Sequence, residues 1–291
     1  MAAGESEFAK APVGTGPFVV TRWTANEVAL TANSQSWRRP KIDHLTFVEV
    51  TDDSARLSAF LFGAIDVAIQ ISPDAFDDIT AAGGHVLTVP AGTVYTLALN
   101  IQRPGSPFAD VRVRRAMNYA VDKEQIARVL YGGTVKPSGQ PASSITAGFD
   151  PAIAPFPLDP ARARALLAEA GYAGGFDLVV EVVTNAIPAD AVTYSAIARD
   201  LAAVGVRAEV RAVPLPVFFT QMFGNSFEVL AFQLGFISMP NLDTVKAMAD
   251  FSCDKPGSQP FACLSDVQDL INRSRVERDP SDRAAIMVAI N

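Results

Sequence analysis

An open α/β sheet is the fold class this sequence predicts, and three observations predict it. From residue 176 to residue 235, apolar strand-like runs alternate with helical stretches in the order βαβαβ. Asp159 and Pro160 form an N-cap and first-turn pair ahead of strong helix formers at 161–170, which stop at Gly171. The chain has 291 residues, 49 % hydrophobic and 19 % charged, the composition of a globular protein with one large or two medium domains.

The elements follow in chain order. Gly14-Thr-Gly-Pro17 makes a turn, and residues 18–23 and 27–32 read as a hairpin broken at Thr24-Ala-Asn26. A strand at 42–50 leads to the helix start Thr51-Asp-Asp-Ser54 and a helix closed by Gly63. Residues 65–71 predict a short buried strand, 73–82 a helix ending at Gly83-Gly84, and 85–89 and 93–101 two more strands.

After Pro104-Gly-Ser-Pro107 the helices lengthen. Residues 110–121 and 123–130 are amphipathic and end at Gly132-Gly133, and a Pro/Gly/Ser-rich crossing occupies 137–157. Strand 176–184, helix 189–204, strand 206–213, helix 216–223 and strand 228–235 then give the βαβαβ pattern. Helices at 243–249, 264–276 and 279–290 close the sequence, the last reaching Asn291 with no evident cap. In such sheets, the loops at the carboxyl ends of the strands are the natural ligand sites.

Net charge −7 and a pI near 4.9 exclude a nucleic-acid partner, because phosphate binding needs clustered Lys and Arg. The basic groups Arg38-Arg39 and Arg112, Arg114 and Arg115 read as a turn and a solvated helix face. No window reaches the roughly 18 uninterrupted apolar residues of a membrane helix. The first residues, Met1-Ala-Ala-Gly-Glu-Ser-Glu7, have neither the basic nor the apolar region of a secretory signal. Cys253 and Cys263 flank the loop CDKPGSQPFAC, which could close as a short disulfide ring; two free thiols fit the same spacing.

Enzyme signatures are lacking. There is no G-x-S-x-G, H-E-x-x-H, Walker A or C-x-x-C, and Pro17 interrupts the dinucleotide-like fragment Gly14-Thr-Gly16. His44 and His85 are isolated, which leaves no metal site, and the pairs Asp52-Asp53 and Asp77-Asp78 read as capping and dipole residues. No cofactor is implied. A hydrolase or other unrecognised enzyme using Asp52, Asp53 and His85 is the alternative to a binding protein.

Six stretches, taken together and in order, resemble the family 5 extracellular solute-binding proteins, the peptide/nickel class of ABC transporters. They are GTGPF (14–18), ANSQSW (32–37), RLSAFLFGAIDVAI (56–69), LALN through PFADVRVRRAMNYAVDKEQIARVLYGG (97–133), LDPARARALLAEAGYAGGF (158–176) and LAAVGVRAEV (201–210). Each alone reads as packing or capping; their order is what carries the resemblance.

The resemblance implies a two-lobed, class II periplasmic-binding-protein-like fold that encloses ligand between lobes closing about a hinge. Residues 1–103 are expected to be a partial lobe I and 104–291 lobe II, with 96–101 the first crossing. Against the family pattern the beginning and end look short, so lobe I is incomplete and the missing signal peptide says nothing about location. The implied protein is a monomer outside the cytoplasm, membrane-associated in its full form, that hands a small solute to an ABC permease.

Peptide-binding members hold the ligand's ammonium with an Asp after the strand matched by EVLAFQLGF (228–236); here Ser238 or Met239 takes that place. The loop after the strand at 176–184, which can hold an Arg for the carboxylate, reads Asn185-Ala-Ile-Pro188. Burying an unpaired ligand charge costs several kcal/mol, so a free dipeptide is disfavoured. Thr184, Asn185, Ser238 and Asn241 as hydrogen-bonding groups, with Phe236 and Met239 as apolar walls, suit a neutral or amphipathic solute such as a sugar or a capped peptide. Asp243 is the remaining acidic candidate.

Overall fold

A computed structural model describes residues 12–183, 186–224, 227–248, 253 and 261–291. The chain divides into two compact units, residues 1–71 and 72–291. This division falls earlier than the boundary at 103/104 expected for the lobes.

The first unit is a meander. Strands β1 (Phe18–Trp23), β2 (Glu27–Ala32) and β3 (His44–Val48) pair antiparallel in chain order, and helix α1 (Asp53–Leu61) follows. The Asp52 carboxylate caps α1 by accepting from the Ala55 N–H at 2.8 Å, satisfying an end donor that the helix leaves open. Val19, Trp23, Phe47 and Phe62 are exposed. The strand expected at 65–71 does not form: Gln70 takes a left-handed φ of 57°, incompatible with an extended run, and its carbonyl accepts from Arg56 instead of a ladder partner.

The second unit holds the α/β sheet. A 3-10 turn (Pro73–Ala75) and helix α2 (Phe76–Ala81) come first. The strand expected at 85–89 is an irregular segment, with Leu87 and Val89 90 % and 83 % exposed. Strands β4 (Thr93–Leu99), β5 (Phe176–Val183), β6 (Val206–Val213) and β7 (Ala231–Ile237) assemble in the order β4-β7-β5-β6. β5 runs parallel to both β6 and β7, and β4 closes the edge antiparallel to β7.

Alternation along the strands gives the sheet two buried faces. Leu178, Val180, Val182 and Ala231 pack under helices α3 (Val111–Ala120), α5 (Pro160–Glu169) and α6 (Asp190–Ala202). Helix α4 (Lys123–Leu130) follows α3. On α3, Val113, Ala116, Met117 and Ala120 fall at i, i+3, i+4 and i+7 and are all buried, the stripe an amphipathic helix presents. The opposite face carries Val183, Val213, Phe232 and Leu234 beneath helix α7 (Leu215–Gly224), where Phe218, Phe227, Phe232 and Phe261 interlock edge-on or stacked. Strand β7 begins at Ala231 and not at 228, because the Glu228 carbonyl accepts from the Arg103 side chain outside the ladder.

The α5-to-β5 and α6-to-β6 turns meet at two glycines. Gly175 has φ +70°, and a Cβ there would lie 1.8 Å from the Gly205 carbonyl oxygen, so this close backbone crossing requires glycine. A short helix α8 (Thr244–Ala247) and the pair α9 (Ser265–Val276) and α10 (Pro280–Ile290) complete the unit around Met248, Ile271, Ile286 and Ile290. The Asn291 side chain accepts from the Ala142 N–H and donates to the carbonyls of Gly148 and Met287, tying the end of α10 to the 140s segment.

Candidate functional site

The carboxyl ends of the parallel strands β5 and β7 emerge on one edge of the sheet, where two loops and the start of β4 gather. Thr184 and Asn185 lie outside the described residues. Their loop ends at Ala189, which has φ 58°, and turns into α6 through Asp190. The Asp190 carboxylate is buried and accepts from the N–H groups of Ala186 (2.9 Å) and Ala191 (2.7 Å), so it shapes the turn.

The loop after β7 divides its residues between inside and outside. Phe236 is half-buried and packs toward the α8–α10 cluster. Ser238 is 1 % exposed; its hydroxyl donates to the Gly92 carbonyl at 2.7 Å and accepts from Thr146 Oγ1 at 3.0 Å. Met239 and Asn241 are open to solvent. Asp243 caps α8 through the Lys246 N–H and pairs with Arg283 at 3.2 Å, which commits its charge to the fold.

Structure brings further polar groups to the same edge that sequence reading did not single out. The Tyr131 hydroxyl, just past α4, meets Thr193 Oγ1 of α6 at 3.0 Å. Tyr194 is buried and donates to the Thr96 carbonyl of β4 at 3.3 Å. Tyr95 stands on β4 opposite Gly235 of β7 and is half-exposed. Burial pushes the Tyr95, Tyr131 and Tyr194 phenols above their ordinary pKa, and neighbouring phenols and Asp190 add to the shift, so all three stay protonated and able to donate. Residues from β4, α4 and α6 meet only through tertiary folding; the one sequence sign was a tyrosine in each of three separated segments.

Two of the three groups of the alternative enzyme reading are engaged in the fold, and the third stands apart from them. Asp52 caps α1, and Asp53 pairs with Arg56 at 2.6 Å; His85 sits exposed in the irregular 85–89 segment of the other unit. Cys253 and Cys263 are joined by a disulfide with Cα atoms 5.0 Å apart.

Comparison with known proteins shows which family the fold belongs to. The chain is 26 % identical over 282 residues to the Di/tripeptide-binding protein 2 of Pseudomonas aeruginosa, spanning 94 % of this chain and 52 % of that protein. It is 30 % identical over 206 residues to the Glutathione-binding protein GsiB of Salmonella paratyphi A, covering 69 % of this chain and 40 % of the relative. Its fold superposes with a TM-score of 0.81 on the ABC transporter-associated periplasmic binding protein DppA of Helicobacter pylori in complex with the peptide STSA, at 23 % identity, over 98 % of this chain and 56 % of that one. The chain thus spans about half the length of these proteins. The pattern of the bacterial extracellular solute-binding proteins, family 5 Middle, matches residues 1–251, and the chain belongs to that family.

Proposed function

We propose that the protein carrying this chain is the extracytoplasmic solute-binding component of an ABC importer, a monomer that captures a small solute between two lobes and presents it to a membrane permease without transforming it. The family match over residues 1–251 carries this reading. A disulfide, which persists in oxidising compartments, further supports it. In this reading residues 1–103 contribute to lobe I and 104–291 to lobe II.

The solute lies against the carboxyl edge of the sheet, touching Thr184, Asn185, Phe236, Met239 and Asn241, while Ser238 sets the shape of its loop from inside. The relatives named for di/tripeptides and glutathione point to peptide-like cargo. Ser238 and Met239 replace a charge partner for a ligand ammonium, and Asp243 is occupied by Arg283, so the cargo is a neutral, amide- or hydroxyl-rich solute in preference to a free dipeptide.

A thermal-shift screen of the whole protein with Ala-Ala, N-acetyl-trialanine amide, glutathione, maltose and Ni²⁺ tests the assignment. Stabilisation by a neutral probe that is recovered unchanged is expected. Turnover of any probe, or no stabilisation by any of them, contradicts it.

A further inference from the structure

Gln233 is 3 % exposed, and only half of its amide is used: Oε1 accepts from the Val183 N–H at 2.8 Å, while Nε2 has no hydrogen-bond partner among the described residues. A buried amide donor left unmade costs about 1–3 kcal/mol, so its retention calls for an acceptor that the described residues do not supply. Its position says where that acceptor would stand. Gln233 is opposite Leu97, and two residues further along β7 Gly235 is opposite Tyr95. Leu97 and Ala231 pack with Tyr194, so by strand alternation Gln233, Gly235 and Tyr95 lie on the face that α6 covers.

Gly235 is closely packed beside Tyr95. A Cβ there would come within 2.8 Å of Thr93 Cγ2 and 3.6 Å of Tyr95 Cδ1, so a larger residue would push the Thr93 and Tyr95 side chains out of place. No hydrogen bond holds the Tyr95 hydroxyl among the described residues, whereas Tyr131 and Tyr194 are bonded to Thr193 and Thr96. The phenols are held in their donor form by burial. An amide N–H and a phenol O–H with no cation between them suit a neutral acceptor oxygen better than a full negative charge.

Resting on the solute-binding reading above, we infer that Gln233 Nε2 and the Tyr95 hydroxyl form a donor subsite on the α6-covered face, beside Gly235, that recognises a carbonyl or hydroxyl oxygen of a neutral solute. This subsite sets specificity and takes no part in any bond making or breaking.

The test is titration calorimetry on the whole protein with N-acetyl-trialanine amide and with maltose, which separate a carbonyl from a hydroxyl source. Gln233→Glu keeps the acceptor for the Val183 N–H and removes the donor; Tyr95→Phe removes a hydroxyl that bonds nothing among the described residues and keeps the ring in place should the first variant misfold. Each is expected to weaken the probe that binds by about three- to tenfold, the worth of one neutral hydrogen bond. Glycine at 235 is part of the same subsite, so Gly235→Ala should weaken that probe as well. Unchanged affinity in Tyr95→Phe and in folded Gln233→Glu, with wild type binding normally, overturns the subsite alone. Failure of wild type to bind either probe overturns the subsite together with the neutral-solute reading.

Discussion

Ser238 donates twice to one oxygen of Gly92: its backbone N–H lies 2.8 Å and its hydroxyl 2.7 Å from the same carbonyl. The serine therefore fastens the loop after β7 to the residue just ahead of β4. Replacing Ser238 with Ala removes the second bond and the one the buried Thr146 hydroxyl donates to it at 3.0 Å, leaving Thr146 bonded to Ser143 Oγ at 2.9 Å. Ser238→Ala is expected to lower unfolding stability by about 1–3 kcal/mol, measured by urea denaturation. A loss below that range would mean the loop is held mainly by its backbone.

Gly175→Ala should be the most damaging small substitution on the helix-to-strand side. It combines a left-handed φ of +70° with a Cβ placed 1.8 Å from the Gly205 carbonyl oxygen. Because backbone and not a flexible side chain stands in the way, the expected cost is at least about 2 kcal/mol. A melting temperature equal to wild type would contradict the crossing described here.

Reduction of Cys253–Cys263, or the double Cys→Ala variant, opens a ring with a sequence separation of 10. The loop-entropy relation gives a loss of about 2 to 3 kcal/mol. Mass spectrometry before and after reduction should show a gain of two hydrogen atoms, and the reduced protein should melt earlier.

Alkaline pH should destabilise the protein through its tyrosines. Phenols ionise near 10.0 in the unfolded chain, and the folded state raises that value for Tyr95, Tyr131 and Tyr194, mainly by desolvation. A group whose folded pKa is raised contributes stability that is complete below the unfolded pKa and lost as pH climbs past it. Unfolding free energy should therefore fall above about pH 10, and Tyr194→Phe should flatten the fall. A pH-independent alkaline limb in wild type would contradict the burial of Tyr194.

Much of this was legible in the sequence for physical reasons. Asp52, Asp110, Asp159 and Asp279 mark helix starts because a short carboxylate meets the open N–H groups of the first turn, and each does so in the structure. The βαβαβ run was readable from its alternation of periods. The segments 65–71 and 85–89 were not, because apolar composition states only that a run can be a strand, while pairing depends on a neighbour across the ladder; among the described residues neither finds one. At the site, Met239 and Asn241 emerge on the surface, but Ser238, an apparent ligand group, turns inward. A serine's sequence neighbours do not reveal that its hydroxyl will find Gly92 and Thr146, which lie far away along the chain. The same distance in sequence hid Gln233, Tyr95 and Tyr131.

Capture of a neutral solute without turnover is measured most directly by equilibrium binding, to the whole protein, of N-acetyl-trialanine amide against free trialanine, with both recovered and weighed by mass spectrometry. Saturable one-to-one binding of the capped peptide, chemically unchanged, is expected, with affinity for the free peptide lower by roughly a thousandfold, the cost of burying unpaired termini. Equal or tighter binding of the free peptide, or a cleaved product from either, would contradict it.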